Sequence, residues 1–382
     1  MNSLMAGKKR MRKIRWLALA AAGLLLAATG APDMVFFQGH VNGKVTGFDK
    51  TDVAMFQAHP QSSKFYTEIW FHEMQFADQG IIVIVNVQLH NLGLRSGYAG
   101  TFITVSDPAG NYVIDFEHTI DPAEVKIDPQ GFGITTGQHR IELVGQEYHV
   151  KYRGKTIQGD FTYQPLTGSF QQGDGKQVFK KSGDFVRYNF PIPWAKITGT
   201  VTYNGKTVKL AGVGSMNHDW QVLSPTRYNS DWRAAWLYTP EATVGIVRAS
   251  SPDLNGVWSQ RLMVAEPGKI LFSSHDYKFE DLDPGPVAGG PVPCPRRYRV
   301  EAKAGEDWLK GEIKVTRIAE KKNILEDYPP LFRKLASLLV AETWSYRFWC
   351  DFNFELRLDG QTRTIAGTGA GNYVSSVKTK KE

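Results

Sequence analysis

Apolar and polar residues alternate along most of this chain with a period of two. Ile81, Val83, Val85, Val87 and Leu89 line one face of a run that begins at Gly80. Phe348, Cys350, Phe352, Phe354, Leu356 and Leu358 alternate in the same way with Trp349, Asp351, Asn353, Glu355 and Arg357. Successive side chains on a strand point to opposite faces, so each run predicts a strand with one face in a core. Turn signals such as Asn204-Gly205, Asp359-Gly360 and Asp107-Pro108 separate these runs, and the pattern recurs from Phe65 to the C-terminus. The predicted fold class is mostly β and antiparallel. One segment breaks the pattern: Asp327 can cap a helix that Pro330 starts, with Leu331, Phe332, Leu335, Leu338 and Leu339 on one side and Arg333, Lys334 and Glu342 on the other. A short amphipathic helix packed on the β structure is expected there, with a lid or membrane-touching element as the alternative.

A second pattern has a far longer period. Trp194–Asn217 aligns with Trp349–Asn372: Trp194 meets Trp349, Gly205 meets Gly360, Gly214 meets Gly369 and Asn217 meets Asn372. Upstream, Val105-Ser106-Asp107-Pro108-Ala109 matches Val264-Ala265-Glu266-Pro267-Gly268, Gly159-Asp160 matches Gly311-Glu312, and Trp70 matches Trp236. The order of these anchors predicts a duplicated unit, too long for a solenoid. A duplicated antiparallel unit of many short strands is best satisfied by closed or nearly closed barrels, which leave no unpaired edge and can enclose a small ligand. Two β-sandwiches are the alternative architecture.

Composition changes the picture mainly at the N-terminus. The formal charge of +7 comes from 45 basic and 38 acidic residues, but Lys8, Lys9, Arg10, Arg12, Lys13 and Arg15 stand together before any acid. Without those six the balance is close to neutral, which removes the main support for nucleic-acid binding. The basic cluster is followed by the apolar run Trp16–Ala28 and then Thr29-Gly30-Ala31-Pro32, the layout of a secretory signal peptide over residues 1–31. An exported, periplasmic protein is expected, with an uncleaved inner-membrane anchor as the alternative. The first barrel is then expected over 36–222 and the second over 223–377.

Only Cys294 and Cys350 occur, so there is no disulfide scaffold and no cysteine metal cluster. Cys350 is expected to be a buried thiol, and a Cys294–Cys350 bridge is the lesser alternative. His72-Glu73 begins like a zinc-protease motif, but Phe76 stands where the second histidine is needed. The nine histidines are scattered without a close pair suited to a metal. No nucleophile elbow, phosphate loop or dinucleotide fingerprint appears, so neither a metal nor a cofactor is expected.

The richest chemistry lies in Gly214-Ser215-Met216-Asn217-His218-Asp219-Trp220-Gln221. Asn217 has a counterpart in the second repeat, but His218, Asp219 and Trp220 meet Tyr373, Val374 and Ser375 there. The trio is therefore an asymmetric addition where the two units join. Just downstream, Trp232, Trp236 and Tyr238 share one face of a predicted strand, and Asp231 and Arg233 share the other. An aromatic wall suits an apolar ligand and equally suits a packed core. The candidate ligand-binding residues are Asn217, His218, Asp219, Trp220, Trp232, Arg233, Trp236 and Tyr238. Neighbours on a strand face opposite ways, so His218 and Asp219 can share a cavity only if the backbone turns between them.

This order of features resembles tandem lipocalin (calycin-like) proteins, namely the survival-factor family and, more distantly, carotenoid 1,2-hydratase. The resembling residues are Phe65-Tyr66-Thr67-Glu68 and Val85–Gly93 in the first repeat. In the second they are Asp327–Phe332, Trp344-Ser345-Tyr346 and Gly367–Tyr373. The resemblance implies two consecutive lipocalin-like antiparallel β-barrels that bind a long apolar lipid. On its survival-factor side it implies carriage of a ceramide-like sphingolipid between membranes. On its hydratase side it implies acid-initiated addition of water to an isoprenoid double bond, with Asp219 as the proton donor and His218 assisting.

The leading expectation is an exported, non-enzymatic lipid-binding or lipid-transfer protein, because burial of a lipid chain supplies ~0.8 kcal/mol per methylene. Membrane contact is expected through the N-terminal segment or the Leu331–Leu339 helix. The alternative is a hydratase or isomerase acting on an isoprenoid or polyketide, and a third is a barrel pair that recognises a protein partner.

Overall fold

A computed structural model describes residues 35–37, 42–92, 95–129, 131–223, 231–251, 256–324 and 342–377. The expected leader and the Leu331–Leu339 helix lie outside these residues. Among the described residues, no helix is long and apolar enough to cross a membrane. The described chain folds into two antiparallel sheets of 13 and 10 strands, the first built between Val35 and Val222 and the second between Asp231 and Val377. One short strand, Gly43–Lys44, crosses over and pairs with Lys269–Ser274 of the second sheet. Each sheet curls around its own core as a half-barrel whose edge strands, among the described residues, do not pair with each other, consistent with the two consecutive lipocalin-like barrels that the strand pattern predicts.

The longest hairpins are built alike. Phe185–Tyr203 pairs with Lys206–Val222, and Glu342–Leu358 pairs with Gln361–Val377. Their turns, Asn204-Gly205 and Asp359-Gly360, have φ of 49° and 71° in one and 51° and 79° in the other. Two successive residues at positive φ form the tight turn whose twist matches that of the flanking strands, and Asn-Gly and Asp-Gly adopt it at least cost.

Register tests the repeat residue by residue. Gly214 lies opposite Met74 and Gly369 lies opposite Leu237, so Met74 and Leu237 are equivalent. From there Val83 pairs with Val105, as Val244 pairs with Val264, which supports the match read from the sequence. The same register makes Trp70 equivalent to Arg233, so its match to Trp236 is a slip of three residues. Trp70 lies inside the first barrel, whereas Trp236 lies outside the second. The Gly159–Gly311 match also slips, by two: Gly311 faces Phe354 as Gly199 faces Phe161, so Phe161 is the equivalent of Gly311.

Large side chains line both barrel interiors. Trp70, Tyr148 and Tyr163 are fully buried in the first, and Tyr298, Phe348 and Phe354 lie in the second. The thiols of Cys294 and Cys350 are free and buried, so the alternative of a bridge between them is not realised. The outer faces of the two sheets pack against each other in an aromatic seam. Trp194 and Phe190 of the first sheet meet Trp236, Tyr238 and Met263 of the second. On the other flank Ile82 and Ile84 meet Trp349 and Ala370. Burying each large side chain here contributes about 1.5–3 kcal/mol. Polar ties cross the same seam. Gln75 Nε2 donates to the Trp236 carbonyl at 3.0 Å, and Arg347 reaches Glu73 at 3.4 Å and Glu320 at 3.2 Å.

Candidate functional site

The Lys206–Val222 strand separates two environments. It pairs with Tyr66–Phe76 without a register shift from Val213 to Val222, so its side chains alternate strictly. Met216, His218 and Trp220 point into the first barrel, and Ser215, Asn217, Asp219 and Gln221 point into the seam. The His218–Asp219 acid–base pair implied by the hydratase resemblance is therefore not formed: the two side chains occupy opposite faces.

In the seam, Asp219 is buried, and Asn217 Nδ2 donates to its Oδ2 at 2.6 Å. Asp219 Oδ1 is equally buried and has no hydrogen-bond partner. Burial pushes this carboxyl well above its ordinary range, with Arg261 and the Asn217 amide opposing the rise. Arg261 lies across the ring of Tyr188 at 3.7 Å and donates to Ser259 Oγ at 2.7 Å. Tyr188 is the ladder partner of Asp219, which places carboxyl, ring and guanidinium in one layer. Gln177, fully buried on the next strand, has neither amide atom paired.

The aromatic wall borders this layer. Trp232 packs against the cluster of Tyr188 and Val186, and Trp236 meets Phe190 edge to face at 5.4 Å. A Cβ on Gly245 would lie 2.3 Å from the Trp236 ring, so the absent side chain is what admits the indole. The Tyr238 hydroxyl lies near Ser215 and Glu73.

A second centre lies in the first barrel, and sequence reasoning missed it. Glu68 Oε1 is 2.8 Å from His218 Nε2 and 3.1 Å from His59 Nδ1. The His59 backbone N–H donates to both carboxylate oxygens at 2.9 Å, and the Tyr66 hydroxyl donates to Oε2. Burial pushes Glu68 up, but these partners outweigh it and hold the carboxyl at about 2. His218 Nδ1 lies 2.7 Å from the Met55 carbonyl, and its ring stacks on Trp70 with centroids 4.5 Å apart. His59 stacks on Trp220 at 4.0 Å. The expectation that the histidines form no close group is thus corrected. The ladder brings together residues about 150 positions apart, a proximity that no local spacing encodes.

The eight candidate residues do not share one surface. Asn217, Asp219, Trp232, Trp236 and Tyr238 face the seam, and His218 and Trp220 face the first barrel. Arg233 faces the second barrel, where it pairs with Asp231 and Asp281 and lies over the Tyr373 ring at 4.6 Å. Glu68, His59 and Tyr66, together with Arg261 and Gln177, join them from outside the candidate set. His72 is a structural residue, with Nδ1 3.0 Å from the Val85 carbonyl and Nε2 2.8 Å from the Tyr148 hydroxyl.

No family model matches the chain, and no curated protein matches it. Solved structures do. A protein provisionally named AttH, from Nitrosomonas europaea, matches with a TM-score of 0.60 at 14% identity, over 90% of this chain and 100% of its own. Kievitone hydratase from Nectria haematococca matches with a TM-score of 0.55 at 13% identity, over 91% of this chain and 99% of its own. CghA, solved with Sch210972, matches with a TM-score of 0.60 at 13% identity, over 91% of this chain and 97% of its own. At such identities the likeness is one of fold, and it lies on the hydratase side of the resemblance read from the sequence. The expectation of a lipid carrier is corrected on this ground: the enzyme named among these neighbours is a hydratase.

Proposed function

We propose that the seam is the centre of a hydratase or isomerase that begins by protonating a carbon–carbon double bond of an isoprenoid or polyketide. Asp219 is the proton donor. The observation that carries this reading is the Asp219 carboxyl itself, buried beside an aromatic wall with its Oδ1 shielded from water and left without a partner. A shared fold with kievitone hydratase supports it.

In this reading the Asp219 O–H bond breaks as its proton moves to an alkene carbon, and the electron pair of the double bond forms the new C–H bond. The resulting carboxylate is stabilised by the Asn217 amide and by Arg261, already in place before the transfer. The carbocation left on the substrate lies against ring faces, an interaction of about 0.5–2 kcal/mol per ring. Water then adds to the cation and returns its extra proton to Asp219. Loss of a carbon-bound proton instead gives the isomer.

Asp219→Asn keeps the shape and removes the proton, so turnover of an isoprenoid or polyketide alkene should fall by at least ~100-fold. Reaction in D2O should place one deuterium on carbon. A folded Asp219→Asn protein that turns over at the parental rate would refute the assignment.

A further inference from the structure

We propose that His59, Glu68 and His218 form a binding site for a divalent metal ion of the Zn2+ type in the first barrel. The donors are His59 Nδ1, His218 Nε2 and a carboxylate oxygen of Glu68, all within 4.8 Å of one another. A four-coordinate ion with bonds of ~2.0–2.1 Å holds its ligand atoms about 3.3 Å apart, so small side-chain shifts open the site.

The placement of the ring nitrogens suits a cation. A His218 ring that donates from Nδ1 to the Met55 carbonyl presents a bare lone pair at Nε2 when neutral. That lone pair faces a carboxylate oxygen at 2.8 Å. With Nδ1 against the Met55 carbonyl, Nε2 is the ring nitrogen turned towards the carboxylate, where both can ligate one ion. Donation of the remote ring nitrogen to a backbone carbonyl is also how metal-bound histidines are oriented.

The second barrel supplies an independent observation. By ladder register, Glu68, Trp70 and His218 are equivalent to Asp231, Arg233 and Tyr373. There the carboxylate has a cation built into the chain, since Arg233 bridges Asp231 and Asp281. In the first barrel the place of that arginine is taken by Trp70, and imidazole nitrogens face the carboxylate instead. The same position is thus neutralised from within in one copy and equipped with metal donors in the other.

Two imidazoles and one carboxylate, with no thiolate, select Zn2+, Co2+ or Ni2+ over Mg2+ and Ca2+, which prefer oxygen ligands throughout. Three protein ligands leave at least one position open. Entry is past His59, whose side chain is 34% exposed, while those of Glu68 and His218 are sealed. The site lies on the opposite face of the strand from Asp219 and stands or falls independently of the hydratase reading.

The experiment uses the untagged full chain, stripped with chelator and titrated with ZnCl2 by calorimetry, with CoCl2 as a spectroscopic probe. One Zn2+ per chain is expected, together with intense visible d–d bands for low-coordinate Co2+. His59→Ala changes a partly exposed residue and should keep the fold; it should weaken Zn2+ at least ~10-fold and abolish the Co2+ bands. Glu68→Gln should do the same, with circular dichroism to verify folding. His149→Ala, at a ring beside Glu147 on a distant strand, should bind as the parent does. Absence of stoichiometric uptake, or parental affinity in His59→Ala, overturns the proposal.

Discussion

Arg347→Met is the most direct test of how the two barrels are held together. Arg347 is 8% exposed and joins two carboxylates from different sheets, Glu73 and Glu320. Methionine keeps much of the volume and removes the charge, which leaves two acids facing each other in a dry seam. Removing one partner of a buried pair costs about 3–5 kcal/mol. For a chain of this size unfolding as one unit, that is about 4–7 °C in Tm. The pH dependence has a definite sign. Burial already pushes Glu73 above the ordinary carboxylate range, with Arg347 opposing the rise and Glu320 adding to it. In the variant the rise is larger. A carboxyl raised in the folded state destabilises as pH climbs above its unfolded value, so the deficit should be greatest at neutral pH and shrink towards pH ~4.5. Thermal melts of both proteins from pH 7.5 to 4.5 measure this, and Glu73→Gln added to Arg347→Met should recover part of the loss. A deficit that is constant with pH, or a double variant no better than the single, would show that Arg347 acts through packing alone.

Two further outcomes follow from particular contacts. Gly245→Ala forces a methyl into the Trp236 ring and should cost about 1–3 kcal/mol, read as a lowered denaturation midpoint together with altered tryptophan emission; an unchanged midpoint would mean that the seam is loose at Trp236. His72 is buried neutral, its burial pulling it down to about 4, so the fold should lose up to about 3 kcal/mol as pH falls from 6.5 towards 4. Urea midpoints across that range should decline less in His72→Gln, and equal slopes would contradict the assignment.

Much of the architecture was legible because strands announce themselves locally. Alternation at Ile81–Leu89 and Phe348–Leu358 and the two X-Gly turns located hairpins that the ladders then realised. Residue identity misled where register decides. Trp70 and Trp236 look like mates, yet three positions separate them from equivalence, and an odd shift puts one inside a barrel and the other outside. Period two alone foretold that His218 and Asp219 would part company. The Glu68 cluster could not be read, because His59 and Tyr66 acquire meaning only when the Lys206–Val222 strand lies beside Tyr66–Phe76. Arg261 and Arg347 were silent for the same reason: each gains its importance from an acid on the other sheet.

Trp194 and Trp349 hold equivalent positions, and both lie where the copies touch. Each copy therefore brings the same hairpin to a common boundary, as the subunits of a symmetric homodimer do. Joining them in one polypeptide fixes that arrangement: neither half can drift away from the other, and the two need not carry the same residues. Tyr373, Val374 and Ser375 in one half stand where His218, Asp219 and Trp220 stand in the other.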